Sequence, residues 1–583
     1  MFRLFRYLKP YWWQVALLLI ATGGQVFATL QIPALMADII NNGIVKEDTG
    51  YIWQQGLIML GIAVLSAGCA LVASYFSARV GANFSRDIRA DIYQKVLGLN
   101  LADTKDYSTA SLINRTTDDV NQVQQTIMMM LSVMLLAPMF CIFALIMAIQ
   151  TAPDMWWIIA VGITAIVLSA TFILAFTMPK FKIYQKMVDR VTLLTRENLT
   201  GLRVIRAFDN EKLERDKFDK TNDELTRLNI FLDKVLKLMG PLTHIIFNGM
   251  TLLCSWVGIS LLTVDFAYLG DMSAFAQYVS FVMMSFLMLS ILFVMLPRAN
   301  VCAGRIREVI NIKPKICWPA ETKGVPSKTA SVEFRKVDFR YPGAEEKVLD
   351  DISFTARAGE SVAFIGSTGS GKSTLINLVP RFYEVTSGEI LVNGINIRDY
   401  NKDDLMGRIG LVPQRGVLFA GTVKANIKFG ASGATDAQVQ EAARVAQAED
   451  FIKKLPGGYD AHIAQGGTNV SGGQKQRLSI ARAICKNPDI FIFDDSFSAL
   501  DMKTDAKLRE ALQPITTDMV TMVVAQRIST IKNADQIVVL ENGKMVGKGK
   551  HLELLGNCDV YRSIVKSQLS DQEFEKEMRL VHA

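Results

Sequence analysis

A lysine and two hydroxyls close a glycine-rich run, Gly366-Ser367-Thr368-Gly369-Ser370-Gly371-Lys372-Ser373-Thr374. Such a run cradles phosphate where a strand enters it and a helix leaves it. Ser361–Ile365 is a short β-prone stretch, and the residues after Lys372 carry a helical pattern. The glycines let backbone N–H groups wrap phosphate oxygens, and the first turn of the helix favours negative charge. Lys372 is then placed for the β- and γ-phosphates and the Ser373 hydroxyl for Mg²⁺. Further along, Ile490-Phe-Ile-Phe493-Asp494 is an apolar run ending in a carboxylate. A buried strand of this kind delivers its terminal acid to the crevice of a parallel sheet, so Asp494 is expected to support the same Mg²⁺. The predicted chemistry is the binding of a Mg²⁺–nucleoside triphosphate.

Between these two motifs lies Val470-Ser471-Gly472-Gly473-Gln474-Lys475-Gln476-Arg477. Ser471 and the amides of Gly472 and Gly473 make a neutral, donor-rich nest at a helix start, suited to a γ-phosphate. Here the chain resembles the ABC ATPases, whose signature reads Leu-Ser-Gly-Gly-Gln. Further elements of that family follow in order. Tyr341, in Phe-Arg-Tyr-Pro-Gly, matches the aromatic that stacks on adenine. Gln414, in Leu-Val-Pro-Gln, matches the Q-loop, which implies a place beside Mg²⁺ and in catalysis. Ser498-Ala499-Leu500-Asp501 matches the D-loop. The resemblance implies ATP and Mg²⁺ as cofactors and two such domains packed head to tail. Each ATP then lies between the P-loop of one domain, here the glycine-rich run Gly366–Thr374, and the other domain's signature. This chain carries one of each, so the resemblance implies a second chain.

Two positions depart from the family pattern. Asp495 follows Asp494 where the family has a Glu base. Its carboxylate is one methylene shorter, drawn back by about a carbon–carbon bond, while a general base must come within ~3 Å of the attacking water or act through a second one. Gln526 follows the strand Met519–Val524 where the family usually has a histidine. A glutamine can donate to a γ-phosphate, yet it neither titrates nor carries charge. Two departures beside an intact P-loop and signature imply a degenerate site, which binds ATP and hydrolyses it slowly. Ser471–Gln474 would then serve the partner's P-loop, as in one chain of heterodimeric ABC exporters. A homodimer with two slow sites is the alternative.

The elements around these motifs fall into two unlike halves. At ~150 residues per domain, 583 residues exceed one soluble domain. Hydrophobic residues are 50% and charged residues 20%, below the usual ~25%, which excludes a largely disordered chain. Six long apolar runs, at 11–40, 56–80, 127–150, 155–178, 238–264 and 273–297, all precede residue ~300. Each can cross a ~30 Å hydrocarbon core, which needs ~20 helical residues. The loops after the first, third and fifth runs hold Lys46, Glu47 and Asp48, then Asp154, then Asp265 and Asp271. Those after the second and fourth carry Arg86, Arg89, Lys95 and Arg115, then Lys180, Arg203, Arg206 and Lys212. The positive-inside rule places these basic loops and both termini in the cytoplasm. Met1–Pro10 alternates Phe2, Phe5 and Leu8 with Arg3, Arg6 and Lys9, the pattern of a short helix on the inner membrane face.

The expected fold is an α-helical membrane domain of six transmembrane helices with long cytoplasmic extensions (1–312). A proline-punctuated linker (313–328) joins it to an α/β P-loop ABC nucleotide-binding domain (329–583). This is the layout of a half-size ABC exporter. Asp106–Val120 and Glu197–Glu214 resemble its two coupling loops.

Lysine and arginine exceed acids by 63 to 56, a net +7 spread over a long chain, so no nucleic-acid partner is expected. Seven scattered cysteines and four histidines form neither a disulfide framework nor a zinc site. The expected function is ATP-driven export of hydrophobic or amphipathic compounds, drugs or lipid-like molecules, across a bacterial plasma membrane by alternating access. Partners are the lipid bilayer, a second half-transporter chain and the transported small molecule. An importer on the exporter fold, for example for a siderophore, and a non-transporting sensor or channel are the other classes. Met128–Met130, Met134, Met283, Met284 and Met288 either serve an adaptable substrate surface or pack helices and face lipid. Gln25, Gln31, His244, Asn248 and Gln277 either line a cavity or bond between helices.

Overall fold

The computed structural model describes residues 2–104, 107–262 and 268–582. Asp106, Val264 and Asp265, named above, lie outside the described residues. The chain divides into two compact units, Met1–Leu97 with Thr109–Ile312, and Gly98–Ser108 with Lys313–Ala583. The segment Gly98–Ser108, expected with the membrane half, therefore belongs to the second unit.

In the first unit, six helical stretches among the described residues are long and apolar enough to cross a membrane: Leu4–Ile44, Thr49–Leu97, Thr109–Thr151, Pro153–Thr200, Glu211–Ile259 and Leu269–Leu289. Several overrun the apolar runs that mark them. The helix Thr49–Leu97 continues through Arg86, Arg89 and Lys95 because no proline interrupts it, so backbone bonding runs on past the apolar stretch. The helix Trp156–Thr200 ends at Gly201, whose N–H caps the Glu197 carbonyl at 2.8 Å. Leu71, Leu252 and Trp256 are large, apolar and exposed, as side chains facing hydrocarbon must be. The unit's core packs Val26, Leu30, Ile159, Phe275 and Val282 against Ala144 and Ala148, whose small side chains let two helices approach closely. The Tyr278 hydroxyl, buried in this core, donates to the Leu30 carbonyl at 3.1 Å. Met283 is buried in the same core, whereas Met134 and Met284 are exposed. The amphipathic start forms a 3₁₀ helix, Phe2–Tyr11. Tyr7 and Tyr11 tie it down by donating to Asp91 and Asp87 at 2.6 and 2.7 Å.

Among its described residues the second unit holds twelve strands. They are β1 Ser331–Phe339, β2 Leu349–Arg357, β3 Ser361–Gly366, β4 Ser387–Val392, β5 Ile395–Asn396 and β6 Ile409–Val412. After them come β7 Gly421–Thr422, β8 His462–Ile463, β9 Ile490–Asp494, β10 Val520–Val524, β11 Gln536–Glu541 and β12 Lys544–Gly549. The main sheet has the order β12-β11-β3-β10-β9-β6 and is parallel apart from the β12 edge. An antiparallel sheet, β2-β1-β4-β5, and the pair β7-β8 complete the topology. Ile490 and Ile492 enter one core with Phe354, Phe364 and Leu375, while Phe491 and Phe493 enter a second with Leu478, Ile480 and Phe497. A strand buried on both faces is why β9 reads as a continuous apolar run.

The short helix Leu101–Thr104 lies in the second unit, with Ala102 in its first core. Asp103 accepts from the backbone N–H groups of Asn100 and Lys315, both at 3.2 Å, and Asn100 Nδ2 donates to the Ile316 carbonyl. The stretch 106–120, expected to be the first coupling loop, follows this short helix in the chain. The stretch 197–214, expected to be the second coupling loop, contains the helix Leu202–Ala207 in the first unit, with Val204 and Phe208 exposed.

Three terminal helices, His551–Asn557, Asp559–Gln568 and Asp571–His582, cover the last face of the main sheet. His551 is buried; its Nδ1 bonds the Tyr561 hydroxyl at 2.7 Å, and its Nε2 lies 3.5 Å from Glu577. Burial holds this imidazole below the usual histidine range, against the pull of Glu577. The fold thus prefers neutral His551. Its contribution to stability is whole above about pH 6.5 and is lost as pH falls through the lower folded value. Thermal unfolding of the full chain should shift to lower temperature between about pH 7 and pH 5.5, and His551→Gln should flatten that shift.

Candidate nucleotide site

β3 delivers the P-loop and the helix Lys372–Leu378 leaves it. Glycine is required at both ends. A Cβ on Gly366 would sit 2.0 Å from the Leu540 carbonyl. Gly371 has φ +98°, and its Cβ would meet Leu349 and the Val348 carbonyl within 3 Å. Lys372 folds back into the loop, donating to the Gly366 and Ser367 carbonyls at 2.8 and 2.7 Å and to Ser370 Oγ at 3.3 Å. Burial lowers the ammonium pKa, opposed by the carboxylates of Asp495 and Asp494. A half-buried cation held by two carbonyls and a hydroxyl, with no ion pair of its own at contact distance among the described residues, is poised for an anionic ligand.

Asp494 ends β9 and accepts from the Ser373 hydroxyl at 2.7 Å. Burial raises its pKa first, Ser373 opposes, and the neighbouring Asp495 adds to the rise. A hydroxyl and a carboxylate so paired are hard oxygen donors of the kind Mg²⁺ takes, so the residues present fit that ion. Tyr341 stands beside this helix. Its hydroxyl bonds Thr374 Oγ1 at 3.0 Å, and its ring packs edge-on against Phe339 and Tyr383.

Two other stretches of the chain converge on Asp495. The residue is buried and left-handed, with φ +47°, and its N–H donates to the Val524 carbonyl of β10 at 2.9 Å. That turn swings the side chain toward the end of β10, where Gln526 Nε2 donates to Asp495 Oδ2 at 2.8 Å. Gln414 Nε2, after β6, donates to the same oxygen at 3.3 Å. The positions predicted for base, switch and Q-loop are thus one hydrogen-bonded cluster beside Asp494.

Ser471 caps the helix Gly472–Cys485 in a capping box, with Gln474 N–H donating to its Oγ and Gln474 Oε1 accepting from its N–H. Gly472 has open space where a Cβ would be, so its backbone is free for close approach. This helix packs in the second core and the P-loop helix in the first, so the two motifs sit on opposite faces of the sheet. Gln476 escaped the sequence reading. Buried two positions beyond Gln474, it donates to the Pro413 carbonyl and accepts from Gly416 N–H, stapling the signature helix to the Q-loop. Its place in the helix pattern gave no hint of this.

The ABC transporter transmembrane-region model matches residues 15–286, and the ABC transporter model matches residues 349–498. An uncharacterized ABC transporter ATP-binding protein of Mycobacterium tuberculosis is 38% identical over 97% of each chain. The chain belongs to the ABC transporter family. It is a half-size member, with one membrane region and one ATP-binding domain, and hence an ATPase coupled to transport. An ATP-dependent lipid A-core flippase of Syntrophus aciditrophicus is 32% identical to this transporter, covering 90% of this chain and 86% of that one. A solved bacterial Atm1-family ABC exporter with ATP bound shares the fold at a TM-score of 0.80 and 22% identity, covering 97% of this chain and 99% of that one.

Proposed function

We propose that this transporter is one half of an ATP-driven exporter of hydrophobic or amphipathic compounds, and that its own P-loop is the slow site of an asymmetric pair. The observation that carries the asymmetry is the Asp495 cluster. A hydrolytic base needs a free carboxylate oxygen toward the attacking water. Asp495 is short and buried, and two amides hold one of its two oxygens, Oδ2, turning the carboxylate toward positions 414 and 526. Gln526 spends an N–H on Asp495 and brings no charge to a phosphate.

In this reading Lys372 and the P-loop amides hold the ATP phosphates, Tyr341 stacks on adenine, and Ser373, Asp494 and Gln414 hold Mg²⁺. That ion neutralises charge between the β- and γ-phosphates. Ser471, Gly472, Gly473 and Gln474 complete the partner's site, where turnover occurs. A different half-transporter supplies the second chain. The exposed Val204 and Phe208 of the second coupling stretch support a paired assembly, because they offer apolar contact that their own unit leaves uncovered.

A cavity of about 400 Å³ between the helices Met239–Leu262 and Tyr268–Ile310 supports an amphipathic cargo. Phe247 lines it together with Thr251, Ser255, Gln277 and Ser280, so apolar and hydroxyl-bearing walls face one space. The flippase relatives make a lipid-like compound the first candidate. The transporter sits in a bacterial plasma membrane with both termini cytoplasmic, in keeping with its basic loops.

The test is to extract the tagged chain gently from its native membrane and determine the composition of its complex. The expected result is a 1:1 assembly with a second half-transporter that has Glu and His at the two departed positions. A complex of this chain alone would leave the homodimer. ATP-driven uptake into inside-out vesicles is expected for export; accumulation in whole cells would instead mean import.

A further inference from the structure

The backbone that carries Gln526 to Asp495 is held in place from several sides, and one of its holders lies outside every nucleotide motif. Gln568 is the last residue of the helix Asp559–Gln568. Its Nε2 donates to the Gln526 carbonyl at 2.7 Å, and its Oε1 accepts from Ile528 N–H at 2.9 Å. One amide thus grips residues 526–528 at two points, as a neighbouring strand would. The second bond serves the first N–H of the helix Ile528–Ile531, a donor that has no partner within its own helix. The grip has a firm base. Tyr561 and Val565 of the Gln568 helix share a buried core with Ala525, Ile528 and Ile531. From the other side, Arg509 Nη1 donates to the Ser529 carbonyl at 2.9 Å while its remaining nitrogens hold Asp505.

We infer that Gln568 is a positioning residue of the nucleotide site: it fixes the backbone of residues 526–528 so that the side chain at position 526 meets the acid at 495. The C-terminal helices thereby become part of the hydrolytic wall without touching nucleotide. The inference rests on the reading of positions 495 and 526 as that wall.

The test uses Gln568→Ala and Gln568→Glu in the full transporter, in the native background and in one carrying Asp495→Glu with Gln526→His. Hydrogen exchange of a peptide spanning 525–530 is expected to speed up by about tenfold or more in Gln568→Ala. Gln568→Glu should fall between, because it keeps the acceptor for Ile528 and loses the donor to Gln526. In the double-substituted background, Gln568→Ala should lower single-turnover kcat about tenfold with KM for ATP unchanged, since a displaced catalytic group costs rate before it costs binding. A fall of the same size in the native background would support positioning and overturn the slow-site reading. Unchanged exchange would overturn the inference. So would faster exchange with kcat unchanged in both backgrounds.

Discussion

Asp495→Glu combined with Gln526→His should raise single-turnover ATP hydrolysis at this P-loop by on the order of 10²–10⁴-fold, the usual contribution of a placed general base. The pair is needed because each residue holds the other. In the native cluster Gln526 Nε2 and Gln414 Nε2 both donate to Asp495 Oδ2. Glu alone would push a longer carboxylate outward while Gln526 still competes for it. His alone would face a carboxylate one methylene too short. Together they restore a carboxylate near the γ-phosphate and an imidazole that can donate to it. The backbone sets a modest cost: position 495 is left-handed, a conformation more readily taken by Asp than by Glu. ATP binding should change little, since Lys372, Ser373 and Asp494 are untouched. Rapid mixing with limiting ATP reads the chemical step alone. No gain in that step would remove the physical account of both departures.

What was legible in the sequence was local. The P-loop, the acid ending β9 and the signature cap each occupy a few consecutive residues with their own strand or helix signals. The six apolar runs were legible because lipid demands length and composition rather than a partner. Contacts between distant stretches left no such mark. Gln414 follows β6, Asp495 follows β9 and Gln526 follows β10, and only the order of strands in the parallel sheet brings their side chains together. The place of Leu101–Thr104 in the second unit was not legible, because one small side chain and the backbone bonds of Asn100 and Asp103 hold it there. Ala102 enters the core from a one-turn helix, which is too short for a periodic pattern. Gln476 and Gln568 are single polar residues whose partners are backbone groups far away in sequence. Helix ends are a different matter from spans. The apolar runs mark where lipid must begin and end, while the helices stop only where a glycine or a loop releases the backbone, as at Gly201.

Substitutions at Ser471 and Lys372 should separate the two halves of the proposed division of labour. Ser471→Arg should abolish steady-state turnover of the assembled transporter, a loss of at least about 10²–10³-fold, the scale for removing one donor from a developing oxyanion. The substitution acts twice. It deletes the hydroxyl that caps the helix Gly472–Cys485, at a cost of about 1 kcal/mol, and it fills the exposed approach to the Gly472 and Gly473 amides. Lys372→Ala acts on the other half-site. It removes the ammonium now bonded to the Gly366 and Ser367 carbonyls, and with it the charge that would meet the β- and γ-phosphates. If this P-loop turns over slowly in the native complex, Lys372→Ala should weaken ATP binding to this chain and leave much of the turnover in place. If both sites were equivalent, the two substitutions would silence the ATPase alike. Folding is controlled by the Ser471→Ala variant, which loses the cap and the hydroxyl donor without adding bulk. Its thermal unfolding should stay close to native while turnover falls. The comparison of Ser471→Arg with Lys372→Ala, on one preparation at saturating ATP, therefore measures the asymmetry directly: a large difference between them is what two unlike sites require.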